Sequence, residues 1–164
     1  MAAKDTCCSY CGQRFPEDQG WPRQCVGCGR RTYRNPIPVA VVLVPVDDGL
    51  LLIRRAIAPH IGGLALPGGY IGWDETWQEA GAREVWEETG LRLDPGTIRD
   101  FGARADRQGF VLIFGLAPPQ RASDIPPVPP AGEVSECVIA RGLVDLVFSL
   151  HAEAMRAFFS AGQL

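Results

Sequence analysis

Three glutamates, Glu84, Glu87 and Glu88, are spaced i, i+3, i+4, so on a helix turning about 100° per residue they fall within an arc of roughly 100°. Like charges at this spacing disfavour a helix and raise one another's pKa unless a cation neutralises them. A hard divalent ion suits such a set. Mg2+ or Mn2+ takes oxygen ligands and keeps positions for water and for phosphate oxygens, which points to phosphate chemistry. Arg83 stands beside the acidic arc, i+4 from Glu79 and i−4 from Glu87, where a guanidinium can fix a carboxylate's orientation. Ala82, Val85 and Trp86 lie opposite and form the side expected to be buried. Taken alone, the glutamates read better as a solvated helix face; their wider context, below, changes that.

A second set is built from thiols. Of six cysteines, five lie within the first 28 residues, and Cys8-x2-Cys11, thirteen residues, Cys25-x2-Cys28 has the spacing of a four-thiolate zinc site. Cys7-x3-Cys11 is the alternative first pair. Gly12 and Gly29 each follow the second cysteine of a pair, as a tight turn around a metal requires. The expected role is structural: zinc replaces the core that so short a segment cannot build. Residues 1–34 carry six basic and three acidic side chains, a modest excess with no basic run, so nucleic acid is disfavoured as a partner.

The elements that must position these groups fit in one core of ordinary size plus a small appendage, since the chain has 164 residues. A net charge of −3 argues against a general nucleic-acid binder, and no apolar run is long enough to span a membrane. Met1–Asp5 does not open a signal peptide, which makes the cytoplasm the expected compartment. With only His60 and His151 available, histidine catalysis is not expected.

Pro36 and Pro38 keep the chain extended, and Val39–Val46 reads as one buried strand. Asp47-Asp48-Gly49 is a hairpin signal with Leu50–Arg55 as the return strand. Arg54 and Arg55, at its end, suit either substrate phosphate or solvent. Leu66-Pro67-Gly68-Gly69 is a glycine-rich loop. Asp74 is the expected N-cap of a helix over Glu75–Thr89, with Gly90 as its C′ glycine. Leu91–Leu93 begins a strand, and Thr97–Asp106 and Gly109–Ala117 form two more. Residues 118–132 contain six prolines and must be a loop, either a rim of the site or a surface connection. Glu133–Ile139 resumes a strand pattern, and Glu133 and Glu136 are candidates for a further carboxylate at the metal. Ser149 is the expected cap of a last helix, Leu150–Ser160, with Ala154, Met155, Phe158 and Phe159 as its apolar stripe.

The pattern Gly69, five residues, Glu75, seven residues, Arg83-Glu84-Val85, one residue, Glu87-Glu88, one residue, Gly90-Leu91 resembles the Nudix box of the Nudix hydrolases at all nine defining positions over twenty-three residues. Tyr33–Pro36, Leu66–Tyr70 and Ser135–Cys137 are most similar to a zinc-ribbon branch that includes FAD, ADP-ribose and NADH pyrophosphatases. The resemblance implies an α/β fold, the Nudix α/β/α sandwich with a mixed sheet over residues 36–164, preceded by a small zinc ribbon over residues 1–35. It implies hydrolysis of a nucleoside diphosphate linked to a group X, giving a nucleoside monophosphate and phosphorylated X. Glu84, Glu87 and Glu88 would hold Mg2+ or Mn2+, one of them serving as general base, with the Gly69 carbonyl as a further ligand and Arg83 orienting the set. Cys8, Cys11, Cys25 and Cys28 would hold structural Zn2+. Dimerisation is common in this family. The Ser-Gln-Pro-Trp-Pro-Phe-Pro signature of zinc-ribbon NADH pyrophosphatases is absent from Thr97–Leu116, which favours FAD, ADP-ribose or a related dinucleotide. Tyr70, Trp73, Trp77 and Phe110 are aromatic candidates for stacking a base or flavin. The rival reading is a regulatory protein whose Nudix domain senses a nucleotide while the ribbon contacts nucleic acid or protein.

Overall fold

The computed structural model describes residues 5–128 and 132–162. The chain divides into two compact units, Met1–Pro36 and Ile37–Leu164.

The first unit is two matching knuckles and a short hairpin, β1 (Arg23–Gln24) with β2 (Arg31–Thr32). In each knuckle a glycine in the left-handed region closes the turn: Gly12 donates its N–H to the Cys8 carbonyl and Gly29 to that of Cys25, both at 2.9 Å. The unit's buried apolar cluster is only Cys8, Phe15 and Cys25.

The second unit stacks two sheets between two helices. Strand β3 (Ile37–Leu43) runs parallel to β9 (Phe110–Leu116) and antiparallel to β7 (Gly68–Tyr70); β8 (Arg99–Ala105) pairs with the outer edge of β9. In the other sheet β5 (Gly49–Arg55) is flanked by β4 (Pro45–Val46), β6 (Leu64–Ala65) and β10 (Val134–Ala140). The apolar run expected as one strand is therefore two, β3 and β4, in different sheets. Pro45, which lacks an N–H to continue the ladder, stands where they part.

Alternate residues explain why these strands read as nearly continuous apolar runs. Val41, Leu43, Leu50 and Leu52 pack with Ala154, Met155 and Phe158 of helix α2 (Ser149–Ser160). Val42, Val44 and Leu51 pack with Ala82 and Val85 of helix α1 (Trp77–Thr89). Both faces are covered, so neither can be polar. Phe158, Met155 and Val85 are at most 1 % exposed, and truncating Phe158 to alanine would cost about 3–5 kcal/mol.

Several boundaries differ from expectation. The N-cap of α1 is Thr76, not Asp74: its hydroxyl accepts the Glu79 N–H while the Glu79 carboxylate accepts the Thr76 N–H, satisfying two orphan donors at once. Gly90 does end the helix, in the left-handed conformation. Trp86 is 43 % exposed rather than buried and stacks under Arg92, because the small residues Ala80, Gly81 and Ala82 supply the packed face. Leu91–Leu93 forms no strand; Asp94 caps a single 3-10 turn, Pro95–Thr97. Helix α2 begins at Ser149 itself, with Phe148 as an N-cap that makes no side-chain bond.

Candidate active site

The Leu66–Tyr70 segment and α1 meet at two glycines. A β-carbon on Gly68 would collide with the Ala40 carbonyl, so only glycine lets this backbone lie against β3, while one on Gly69 would displace the Glu84 carboxylate. The Gly68 N–H donates to Glu88 Oε2 at 3.0 Å.

Arg83 is the hub of the acidic face. Its Nε and Nη2 grip both oxygens of Glu75, at 3.0 and 2.7 Å; Nη1 reaches Glu84 at 2.7 Å and Glu87 at 3.2 Å; Nη2 also donates to the Tyr70 carbonyl at 3.0 Å. This fork ties the start of α1, its middle and the end of β7 into one piece, which an ammonium could not do. The sequence placed Arg83 between Glu79 and Glu87; capping occupies Glu79, and Glu75 takes its place. Hydrogen bonds from Arg83 hold the Glu75 carboxyl below the usual range, and the same contacts push the guanidinium's own pKa up.

The other carboxyls are held the opposite way. Burial raises Glu84 against the pull of Arg83. Glu88 is 8 % exposed, and burial pushes it up to about 8, opposed by the Gly68 N–H and reinforced by the Glu84 and Glu133 charges. Glu87, on the outer side, is exposed. The three share one helix face, but only the four cysteines among the described residues bring ligand atoms within 4.8 Å of one another. Arg83 keeps Glu84 and Glu87 to itself while Glu88 turns to Gly68. The donor set nevertheless fits a hard cation: all oxygen, with one carboxyl group buried and one exposed to solvent.

Of the two candidate glutamates outside the box, Glu133 acts on both Glu84 and Glu88 through its charge, whereas Glu136 is paired with Arg54. Arg54 also donates to the Gly62 carbonyl, and Arg55 to that of Pro59. Of the four aromatic candidates, Tyr70 and Trp73 are 61 % and 99 % exposed, while Trp77 and Phe110 pack against the cores.

Two positions escaped the sequence reading. Gly68 supplies the N–H that meets Glu88; the doubled glycine before the box was its signal. His151 of α2 accepts the Leu66 N–H through Nδ1 at 3.2 Å, anchoring the glycine segment from behind. It is buried against Phe114 and Phe148 and lowered to about 3 by burial, so it stays neutral. No sequence pattern marked it.

In the first unit, Cys8 and Cys28 Sγ atoms are 3.7 Å apart and those of Cys11 and Cys25 3.5 Å. Cys8, not Cys7, joins the set; Cys7 lies on the bridge to Arg14. The Tyr10 N–H donates to Cys8 Sγ at 3.4 Å and holds that thiol down to about 6. The cluster is consistent with a zinc ribbon.

The NUDIX domain profile matches residues 35–157. The chain belongs to the Nudix family. It is 34 % identical over 88 residues to the NAD-capped RNA hydrolase NudC of Shigella flexneri, a stretch that is 52 % of this chain and 34 % of that one. It is 40 % identical over 84 residues to a MutT-like protein of Streptomyces ambofaciens, covering 51 % and 53 %. The chain thus spans between a third and about half the length of these curated relatives. Among solved structures, a NUDIX hydrolase of Nitrosomonas europaea superposes with a TM-score of 0.77 at 25 % identity, over 96 % of this chain and 92 % of the other. The NUDIX domain of Shewanella oneidensis NrtR complexed with ADP ribose shares the fold, with a TM-score of 0.55 at 19 % identity over 66 % and 74 %. No helix among the described residues is long and apolar enough to cross a membrane.

Proposed function

We propose that this Nudix protein is a pyrophosphohydrolase dependent on Mg2+ or Mn2+, cleaving the diphosphate of a nucleoside diphosphate linked to X into a nucleoside monophosphate and phosphorylated X. The observation that carries the reading is the acidic face of α1, fixed by Arg83 on one side and by the Gly68 amide on the other. Glu84, Glu87 and Glu88 would hold the metal together with the Gly69 carbonyl. When bound, the ion supplies charge neutralisation for the pyrophosphate and an acidified water. Arg83 would orient Glu84 and Glu87, and Glu88 would turn from the Gly68 N–H toward the ion when it binds. Water adds to one phosphorus, the bridging P–O bond breaks, and the water's proton passes to a carboxylate of the set. The acceptor is one of the three glutamates Glu84, Glu87 and Glu88.

The four thiols would hold Zn2+ in a closed, structural site. For the substrate, the missing NADH signature and the exposed Tyr70 and Trp73 in the loop that opens the box favour FAD, ADP-ribose or a related dinucleotide. The ADP ribose bound by a structural neighbour supports the same class. The test is turnover with Mg2+ or Mn2+ on FAD, ADP-ribose, NAD, NADH, diadenosine polyphosphates and nucleoside triphosphates, with products identified by mass. One dinucleotide cleaved far faster than the rest to two monophosphates is the expected result. Tight nucleotide binding without turnover would instead support the sensor reading.

A further inference from the structure

A cavity of about 500 Å3 opens on the surface of the first unit, wholly within residues 5–35. It falls within the size range of small-molecule sites. Its walls come from the first cysteine knuckle and from the end of β2, which the Ser9 and Thr32 hydroxyls join at 3.3 Å. Tyr10 and Tyr33 line it and are 57 % and 61 % exposed. Both rings therefore offer open faces beside the cavity's hydroxyl and amide groups.

The chemistry around them is specific. Arg30 stacks over the Tyr10 ring at 5.0 Å, and Ser9, Thr32 and Asn35 add hydroxyl and amide groups. The acidic member of the lining, Asp5, is paired with Arg34 at 3.4 Å. The unit is net basic within an acidic chain. No leucine, isoleucine, phenylalanine or methionine lines the cavity; its large side chains are the two tyrosines. Exposed tyrosines beside an arginine and side-chain hydrogen-bonding groups make a stacking platform for bases. The linear sequence hid it, because Tyr10 and Tyr33 lie far apart in the chain and line one cavity only in the fold.

We infer that this cavity binds a base of single-stranded nucleic acid, stacked on Tyr10 and Tyr33, with Arg30 beside the backbone. The site belongs to the ribbon and does not depend on the hydrolytic reading. The test uses the full chain, zinc-loaded and without Mg2+ or Mn2+ so that nothing turns over. Fluorescence anisotropy would follow a short labelled oligouridylate and the matching oligodeoxythymidylate at low salt. Tyr10→Ala and Tyr33→Ala should each weaken binding about ten-fold at unchanged zinc content, whereas Val26→Ala, on the same unit but outside the cavity, should not. Preference for the ribo- over the deoxyribo-oligomer would identify RNA as the source; equal binding would identify either. In the wild type, 4-thiouridine in the oligomer should photo-crosslink within residues 5–35. Absence of oligonucleotide binding, a Tyr10→Ala/Tyr33→Ala double variant that binds normally, or crosslinks confined to the second unit would overturn the inference. None of these outcomes bears on turnover.

Discussion

The two units solve the same problem, gathering groups that repel or avoid one another, in opposite ways. The ribbon converges four thiols within 4.8 Å on a core of three residues; without a metal, little else would hold it together. The Nudix unit has an extensive core on both faces of its sheets and can therefore carry a site that works against stability: three glutamates on one helix face, one of them buried. A metal that builds a fold is enclosed by soft ligands, and a metal that does chemistry is left partly open among hard ones. Arg83 offsets part of that repulsion by pairing at once with Glu75, Glu84 and Glu87.

The contrast can be broken at either end. Glu88→Gln should lower Mg2+-dependent turnover at least about 100-fold with both units folded; steady-state assays and circular dichroism check this, and near-normal rates would remove Glu88 from the site. Cys25→Ser should release zinc and unfold residues 5–36 while the second unit keeps its melting transition, as zinc analysis and calorimetry would show. Arg83→Lys retains charge but loses the fork, and should reduce turnover about 10–100-fold with little change in stability.

A different kind of effect concerns pH. The Glu88 carboxyl, raised from 4.5 to about 8 in the fold, binds its proton more tightly when native. Without divalent metal, stability should therefore fall as pH rises from about 4.5 to 8, by at most about 5 kcal/mol. Glu88→Gln should flatten that slope in urea titrations across the window; a wild-type slope of opposite sign would refute the burial of an unneutralised carboxylate. Smallest is Thr76→Ala, which removes half of the capping box and should cost about 1 kcal/mol with turnover nearly intact.

What could be read from the sequence followed local chemistry. The box, the cysteine spacing and the Gly90 terminus declared themselves because residue type and spacing there leave few alternatives. Alternating burial on β3 and β5 was blurred, since strands covered on both faces have no polar side to mark a break, and so the division at Pro45 went unseen. Asp74 and Thr76 are both good caps; Thr76 prevails because Glu79 reciprocates and because Arg83 and the Gly72 N–H claim the neighbouring Glu75. His151 and the Tyr10–Tyr33 pair were beyond reach for another reason: each matters through partners distant in sequence.

The most direct test of the division of labour between the two sites is to follow zinc and turnover in one sample. Brief chelation that strips Mg2+ or Mn2+ while zinc stays at a single ion per chain should abolish hydrolysis of the preferred dinucleotide, and adding Mn2+ back should restore it without changing the zinc content. Hydrolysis that persists in the zinc-only protein, or that Mn2+ cannot restore, would contradict the assignment of chemistry to the acidic face of α1.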